Sequence, residues 1–342
     1  MQNVKLDFSN VLIQPQSSEL NSRSEVVLEC TKSTFKHCPR TWTGVPIIAA
    51  NMDTTGTFKV YETLSKHKII TALHKFYTVA DYKTAHEEFD LHPDYFMVSV
   101  GVHDDELEKL KDIHTILPFK WICIDIANGY IPKLLSFCQK VRKTFPEHII
   151  VAGNVVTPER VSALLNHGVD VVKVGIGPGA ACTTRIQTGV GMPQLSAIQE
   201  CASAAHAEGG MIIGDGGITC PGDMAKAFGG GADFVMGGSL FAGHDENPGA
   251  IIEEQGQKYK LFYGMSSRKA METHYGKMAN YRSSEGRALK MKYKGKLEDT
   301  VLNYLGGLRS TCTYINAKCI DEMEDKTTFM YVSQQANFSL VR

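Results

Sequence analysis

Eight short runs of aliphatic and β-branched residues recur along the chain, each followed by a helix-length mixture of polar and apolar positions. They are Pro46–Asn51, Ile69–His74, Phe96–Val100, Trp121–Ile126, Ile149–Asn154, Asp170–Gly175, Met211–Asp215 and Asp233–Gly237. Near-continuous hydrophobicity within each run predicts parallel strands covered on both faces. Eight successive strand–helix units predict an α/β fold, a closed (β/α)8 TIM barrel. A doubly wound open sheet is the architectural rival. Polar residues gather at or just beyond the C-terminal ends of the runs: Asn51, Asp53, His74, Asp125, Asn128, Asn154, Cys182 and Asp215. That is the end at which such barrels carry their chemistry.

Two intervals break the repeat. Between the sixth and seventh runs there is room for a loop over 175–193 before a helix around Gln194–Ala207. After the eighth, Glu253–Tyr259 reads as a hairpin turn, and residues 268–298 are basic, polar and poor in β-branched residues. That last stretch is expected to be a flap over the site. With an N-terminal extension over 1–45, the whole of 1–342 is expected to form one barrel domain.

Composition narrows the function classes. A hydrophobic content of 43% supports a sizeable core, and a formal charge of −1 gives no long-range pull toward nucleic acid or acidic membranes. No uninterrupted apolar stretch reaches the ~18 residues of a spanning helix, and the opening Met1–Asp7 lacks an apolar signal segment. Nine cysteines, scattered without a C-x-x-C pair, argue against a disulfide framework or a zinc site. The expectation is a reducing, cytoplasmic setting with no nucleic-acid or membrane partner.

The segment Val174 to Arg185 carries the sharpest chemistry. It runs from an apolar stretch into the glycine-dense turn Gly175-Ile176-Gly177-Pro178-Gly179, which presents Cys182 followed by Thr183, Thr184 and Arg185. A cysteine beside a turn is ordinarily a buried structural thiol. Here nothing apolar surrounds it in sequence, and freed backbone N–H groups and a nearby cation would raise its thiolate fraction. The turn also matches the loose dinucleotide pattern G-x-G-x-x-A. Proline within it, no immediate helix and no ribose-binding acid ending a following strand exclude that reading.

A phosphate end is also visible. Asp215-Gly216-Gly217 closes the seventh run and Gly237-Gly238-Ser239 the eighth, where barrels commonly bind phosphate through backbone N–H groups. Tyr263-Gly264-Met265-Ser266-Ser267 offers further donors. Together these predict a phosphorylated ligand.

With the cysteine loop, Asp215-Gly216-Gly217 and the late flap in place, the chain resembles the IMP dehydrogenase and GMP reductase family over essentially its whole length. Gly177-Pro178-Gly179 through Cys182-Thr183-Thr184-Arg185 is similar to the family's catalytic loop. The resemblance implies a covalent thioimidate between Cys182 and C2 of a purine nucleotide. Three features favour the reductase branch: an ordinary βα unit between Val98 and Ile122 where dehydrogenases usually carry a regulatory insertion, the opening Leu6-Asp7-Phe8 through Ser22-Arg23-Ser24-Glu25-Val26, and the flap segment Tyr281-Arg282-Ser283-Ser284-Glu285-Gly286. The pattern departs at Met192, at Ala180-Ala181 and at Ser239-Leu240-Phe241, the last being closer to the dehydrogenase.

The resemblance implies GMP and IMP as ligands, NADPH as cofactor, potassium as a bound cation and a homotetramer. It implies Cys182, Thr184 and Glu285 as catalytic residues. Nucleotide contacts fall on Asp215, Gly216, Gly217, Gly238, Ser239, Gly264, Met265, Ser266, Arg282, Ser283, Ser284 and Gly286. Cofactor contacts fall on Ser22, Arg23, Lys75, Asp125, Ile126, Ala127, Ile176, Gly177, Ser310, Thr311, Cys312 and Thr313, some of them toward a neighbouring subunit. Gly177, Gly179, Cys182 and Arg185 would hold the cation. An IMP dehydrogenase without its insertion and a catalytically silent nucleotide-binding barrel are the alternatives.

Overall fold

The structure is a computed structural model, described here for residues 4–276 and 284–333. Its eight parallel strands are β1 (Ile47–Ala49), β2 (Ile70–Leu73), β3 (Phe96–Val100), β4 (Trp121–Asp125), β5 (Ile149–Val155), β6 (Val171–Val174), β7 (Met211–Asp215) and β8 (Phe234–Gly237). They close into a barrel in which each strand pairs with its neighbours in chain order and β8 pairs with β1. The (β/α)8 expectation holds, and the open-sheet rival is excluded by the closing pair, in which Met236 stands opposite Ile48.

Side-chain parity along the strands sorts two apolar layers. In β4, Trp121 and Cys123 point into the barrel while Ile122 and Ile124 join the strand–helix layer. The same alternation sends Val171 inward and Val172 and Val174 outward in β6, and Ile213 inward and Ile212 outward in β7. Since successive residues face opposite sides, Asp125, Lys173 and Asp215 are the next inward positions after Cys123, Val171 and Ile213. The interior is therefore apolar below and charged above.

The lower end is plugged by aromatic rings. Trp121 meets Phe35 at 5.7 Å and Trp42 at 5.9 Å edge-to-face, with Phe234 at 5.6 Å, a favoured geometry for ring quadrupoles. Phe35 and Trp42 come from the N-terminal extension, where Cys30–Lys32 pairs antiparallel with Trp42–Gly44. Asp170 binds this extension to the barrel by accepting His37 N at 2.7 Å and Ile150 N at 2.9 Å, and it pairs with Arg142.

Outside the strands lie α1 (Phe58–Leu64), α2 (Val79–Glu88), α3 (Asp104–Ile116), α4 (Pro132–Thr144), α5 (Pro158–Leu165), α6 (Gln194–Ala207), α7 (Pro221–Gly229) and α8 (Leu297–Tyr314). Helix α6 has the expected bounds. Helix α8, after the post-barrel insertion, packs against α7 and α1 and completes the outer ring. The insertion is a three-stranded antiparallel sheet: β9 (Ile252–Glu254), β10 (Gln257–Tyr263) and β11 (Ala288–Lys292). The β9–β10 turn uses Gln255 and Gly256, with φ of 51° and 74°, the left-handed pair that suits strand twist in a two-residue hairpin. Part of the segment read as flap is thus sheet, because β11 finds a partner edge on β10 that a local reading does not see. None of the helices among the described residues is long and apolar enough to cross a membrane.

Two buried histidines outside the site make stability depend on pH. His148 packs among His114, Phe119 and Phe145, and His244 bonds Thr300 Oγ1 at 2.7 Å. Burial lowers both from 6.5 to about 4. Between those values the unfolded chain takes up protons that the folded chain refuses. Their contribution is therefore complete above pH 6.5 and lost as pH falls toward 4, by at most about 1.4 kcal/mol per pH unit per histidine. A series of thermal midpoints between pH 7 and 4.5 should fall with acidity, less steeply in His148→Phe; equal slopes would contradict this account.

Candidate active site

The upper ends of the strands and the loops beyond them enclose a cavity of about 470 Å3, within the range of small-ligand sites. Its floor is built by parity. Lys173 Nζ lies 2.7 Å from Asp125 Oδ1, 3.3 Å from Asp215 Oδ2 and 3.3 Å from Asn51 Oδ1. Asn154 Nδ2 donates to the same Asp215 oxygen at 2.8 Å. A Cβ on Gly153, its register partner, would stand 2.5 Å from Lys173 Cβ, so only glycine lets β5 and β6 meet around this side chain. Burial opposes charge on Lys173, yet the two carboxylates outweigh it and hold the ammonium above its ordinary range. Burial likewise opposes ionisation of Asp125, and Lys173 and Lys75 overcome it, holding that carboxyl below its usual range.

The rim carries the candidate nucleophile. Cys182 is half-buried, and its Sγ–H donates to Thr184 Oγ1 at 3.3 Å. Thr184 Oγ1 in turn donates to Glu285 Oε2 at 2.8 Å. Glu285 is far away in sequence, and backbone pairing brings it in. Thr183 N donates to Glu285 O at 2.8 Å, Arg287 N to Ala181 O at 2.9 Å, and Thr183 Oγ1 to Ser284 O at 3.1 Å. Gly286 also bridges Ser267. The cysteine loop and the segment 284–287 leading into β11 are therefore zipped together, and the thiol, hydroxyl and carboxylate form one hydrogen-bonded line.

The expected phosphate and nucleotide residues Asp215, Gly216, Gly217, Gly238, Ser239, Gly264, Met265, Ser266 and Gly286 all line this cavity. Gly216 and Gly217 have φ of +92° and +80°, which turn the chain back beneath Pro178. Gly216 N–H is already spent on Met236 O at 3.2 Å, so the free donor expected there is not available. Ser284 lies outside the cavity lining; its hydroxyl donates to Gly286 O at 2.7 Å and shapes the clamp. Arg282 and Ser283 lie outside the described residues, as does Tyr281.

Lys75, Asp125, Ile126, Ala127, Ile176 and Gly177 line the same cavity, together with Phe76 and His103. Ser22, Arg23 and Thr313 instead line a separate cleft with Leu20, Asn21 and Tyr314. Ser22 caps the turn Arg23–Glu25, and the hydroxyls of Ser310, Thr311 and Thr313 donate to carbonyls within α8. Cys312 corrects the expectation outright: it is fully buried in the apolar core, because its face of α8 packs inward. Of the strand-end polar residues, His74, Asp53 and Asn128 also stay out of the cavity lining. His74 stacks on Tyr77 at 3.8 Å, Asp53 accepts from Tyr263 at 3.1 Å, and Asn128 accepts from Tyr130 N at 3.0 Å.

The cation ligands expected in the loop are backbone carbonyls, which suit a hard cation. Gly177 and Gly179 belong to the cavity wall, and Gly179 O already accepts Cys182 N at 3.0 Å. Arg185 is occupied as an anchor: its carbonyl accepts Gly189 N at 3.1 Å, and its guanidinium reaches Asp7 and Met192 O. Sequence reasoning missed Lys173. The signal was present, a lone ammonium within the apolar run Val171-Val172-Lys173-Val174.

Comparison with known proteins agrees with this fold. A family model described as the IMP dehydrogenase / GMP reductase domain matches residues 5–338. The chain is 52% identical to a GMP reductase of Yersinia enterocolitica over 339 residues, covering 98% of this chain and 96% of that one. A GMP reductase of Yersinia pestis is likewise 52% identical over 338 residues, with the same coverage. The chain belongs to the IMP dehydrogenase / GMP reductase family.

Proposed function

We propose that this protein reduces GMP to IMP and ammonia with NADPH, through a thioimidate on Cys182. The observation that carries the reading is the line Cys182 Sγ–Thr184 Oγ1–Glu285 Oε2, which joins a nucleophile to an acid–base pair across the cysteine loop and the flap. Passing the thiol proton through Thr184 to Glu285 leaves a thiolate and a neutral carboxyl. The thiolate attacks C2 of the guanine. The 2-amino group leaves poorly unless protonated, and the same line returns the proton to it. Loss of ammonia restores the C2–N double bond in the thioimidate.

NADPH, when bound, supplies the hydride at C2. Lys75, Asp125, Ile126, Ala127 and Ile176 would hold it within the same cavity, and the apolar Phe76 and Ile176 suit a planar ring. Collapse of the reduced adduct expels Cys182 thiolate and leaves IMP. Asp215 accepts from the ribose hydroxyls, a role suited to an acceptor-only carboxylate. Gly217, Gly238 and Ser239 take the phosphate, while Met265 and Ser266 contact the purine. A monovalent cation on the carbonyls of Gly177, Gly179 and Cys182, cofactor contacts from Ser22, Arg23 and the end of α8 toward a neighbouring copy, a homotetrameric assembly and a cytoplasmic location belong to the same reading.

Mixing the protein with GMP and NADPH should produce a GMP-dependent fall in NADPH absorbance together with release of ammonia. No oxidation with GMP, but NADH formed from IMP and NAD+, would place the protein on the dehydrogenase branch. Nucleotide binding without either reaction would leave a silent barrel.

A further inference from the structure

Lys173 belongs to none of the catalytic or binding groups assigned above, yet it is the cation at the centre of the cavity floor. It is 2% exposed and stands between Asp125, proposed above to meet the cofactor, and Asp215, proposed to meet the ribose. A charge so buried is retained only where its partners are fixed, and here all are: Asp125, Asp215 and Asn51 converge on one ammonium. Asp215 Oδ2 takes both Lys173 and Asn154. Among the described residues no donor is bonded to its Oδ1, and Asp215 lines the cavity.

We propose that Lys173 is the positioning residue for ribose recognition: it pins one oxygen of Asp215 and balances the charge of Asp125, so that the other oxygen is held facing the sugar hydroxyls. The inference rests on the reading that Asp215 takes the ribose. Without the ammonium, two carboxylates would share one buried floor with no counter-charge, and Asp215 would be free to turn away from Asp125. A turned Asp215 no longer presents its second oxygen to vicinal hydroxyls. Loss of Lys173 should therefore be felt through the sugar rather than through the purine or phosphate.

The test compares GMP with 2′-deoxy-GMP by titration calorimetry without NADPH, on the full chain. The wild-type protein should prefer GMP by about tenfold or more, since a site built around a hydroxyl rejects the analogue lacking it. In Lys173→Met that preference should collapse to within about threefold, chiefly by loss of GMP affinity. The double variant Lys173→Met/Asp125→Asn restores the local charge and should regain preference; it also carries the test if the single variant fails to fold. A merely structural lysine would weaken both nucleotides equally and leave their ratio intact, which would overturn the proposal, as would a double variant no more selective than the single. A wild-type protein that binds neither nucleotide would instead remove the nucleotide reading itself.

Discussion

Replacing Cys182 with alanine should lower GMP-dependent NADPH oxidation by about 10⁴-fold or more, the scale seen when a covalent nucleophile is removed. No other group is placed to take over. Among the described residues lining the cavity, Cys182 is the only thiol, and Thr184 beside it is a weak nucleophile at its ordinary protonation state. GMP affinity should change little, because Asp215, Gly217, Ser239 and Met265, proposed above to hold the nucleotide, line the cavity from other elements. Mass spectrometry of the wild-type protein quenched with GMP should show a purine adduct on the peptide bearing Cys182, absent from the variant. Turnover unchanged in Cys182→Ala would remove the thiol from the reaction.

Glu285→Gln should reduce turnover by about 10²–10⁴-fold with little effect on GMP affinity, the range for a positioned acid–base group. The variant is informative because it spares the geometry. The backbone bonds that hold the segment, Thr183 N to Glu285 O at 2.8 Å and Arg287 N to Ala181 O at 2.9 Å, do not involve the side chain. A glutamine oxygen can still accept from Thr184 Oγ1, so the line stays formed while its end can no longer hold a proton. The loss should appear in the ammonia-releasing step, read as slower decay of a pre-formed complex after rapid mixing. A variant within threefold of wild type would show that protons reach the 2-amino group by another route.

Much of this architecture was legible in the chain. The eight apolar runs coincide with the eight barrel strands, and α6 begins at Gln194 as its pattern indicated. Fully buried parallel strands declare themselves by continuous hydrophobicity, so the barrel needed no long-range knowledge. Residues at the run ends were a coarser guide. Asn51, Asp125, Asn154 and Asp215 reach the cavity, while His74, Asp53 and Asn128 do not, because a residue one position off in parity or one turn further along faces elsewhere. Cys312 shows the same limit on a helix: its place in a motif said nothing about which face of α8 packs on the core.

The chain alone determined the barrel, the thiol in a glycine-framed loop and the order in which that loop, the glycine turns after the seventh and eighth strands and the post-barrel insertion follow one another, since each is written in local pattern and spacing. The tertiary structure decided which groups act on one another. Glu285 joins Thr184 only because the cysteine loop and the segment 284–287 leading into β11 pair backbone to backbone. Lys173 becomes the counter-charge of Asp125 and Asp215 only when β4, β6 and β7 take their places around the barrel. Hydrogen bonds and charge pairs act over a few ångströms, and closure of the barrel and pairing of the flap bring groups this far apart in sequence to that distance.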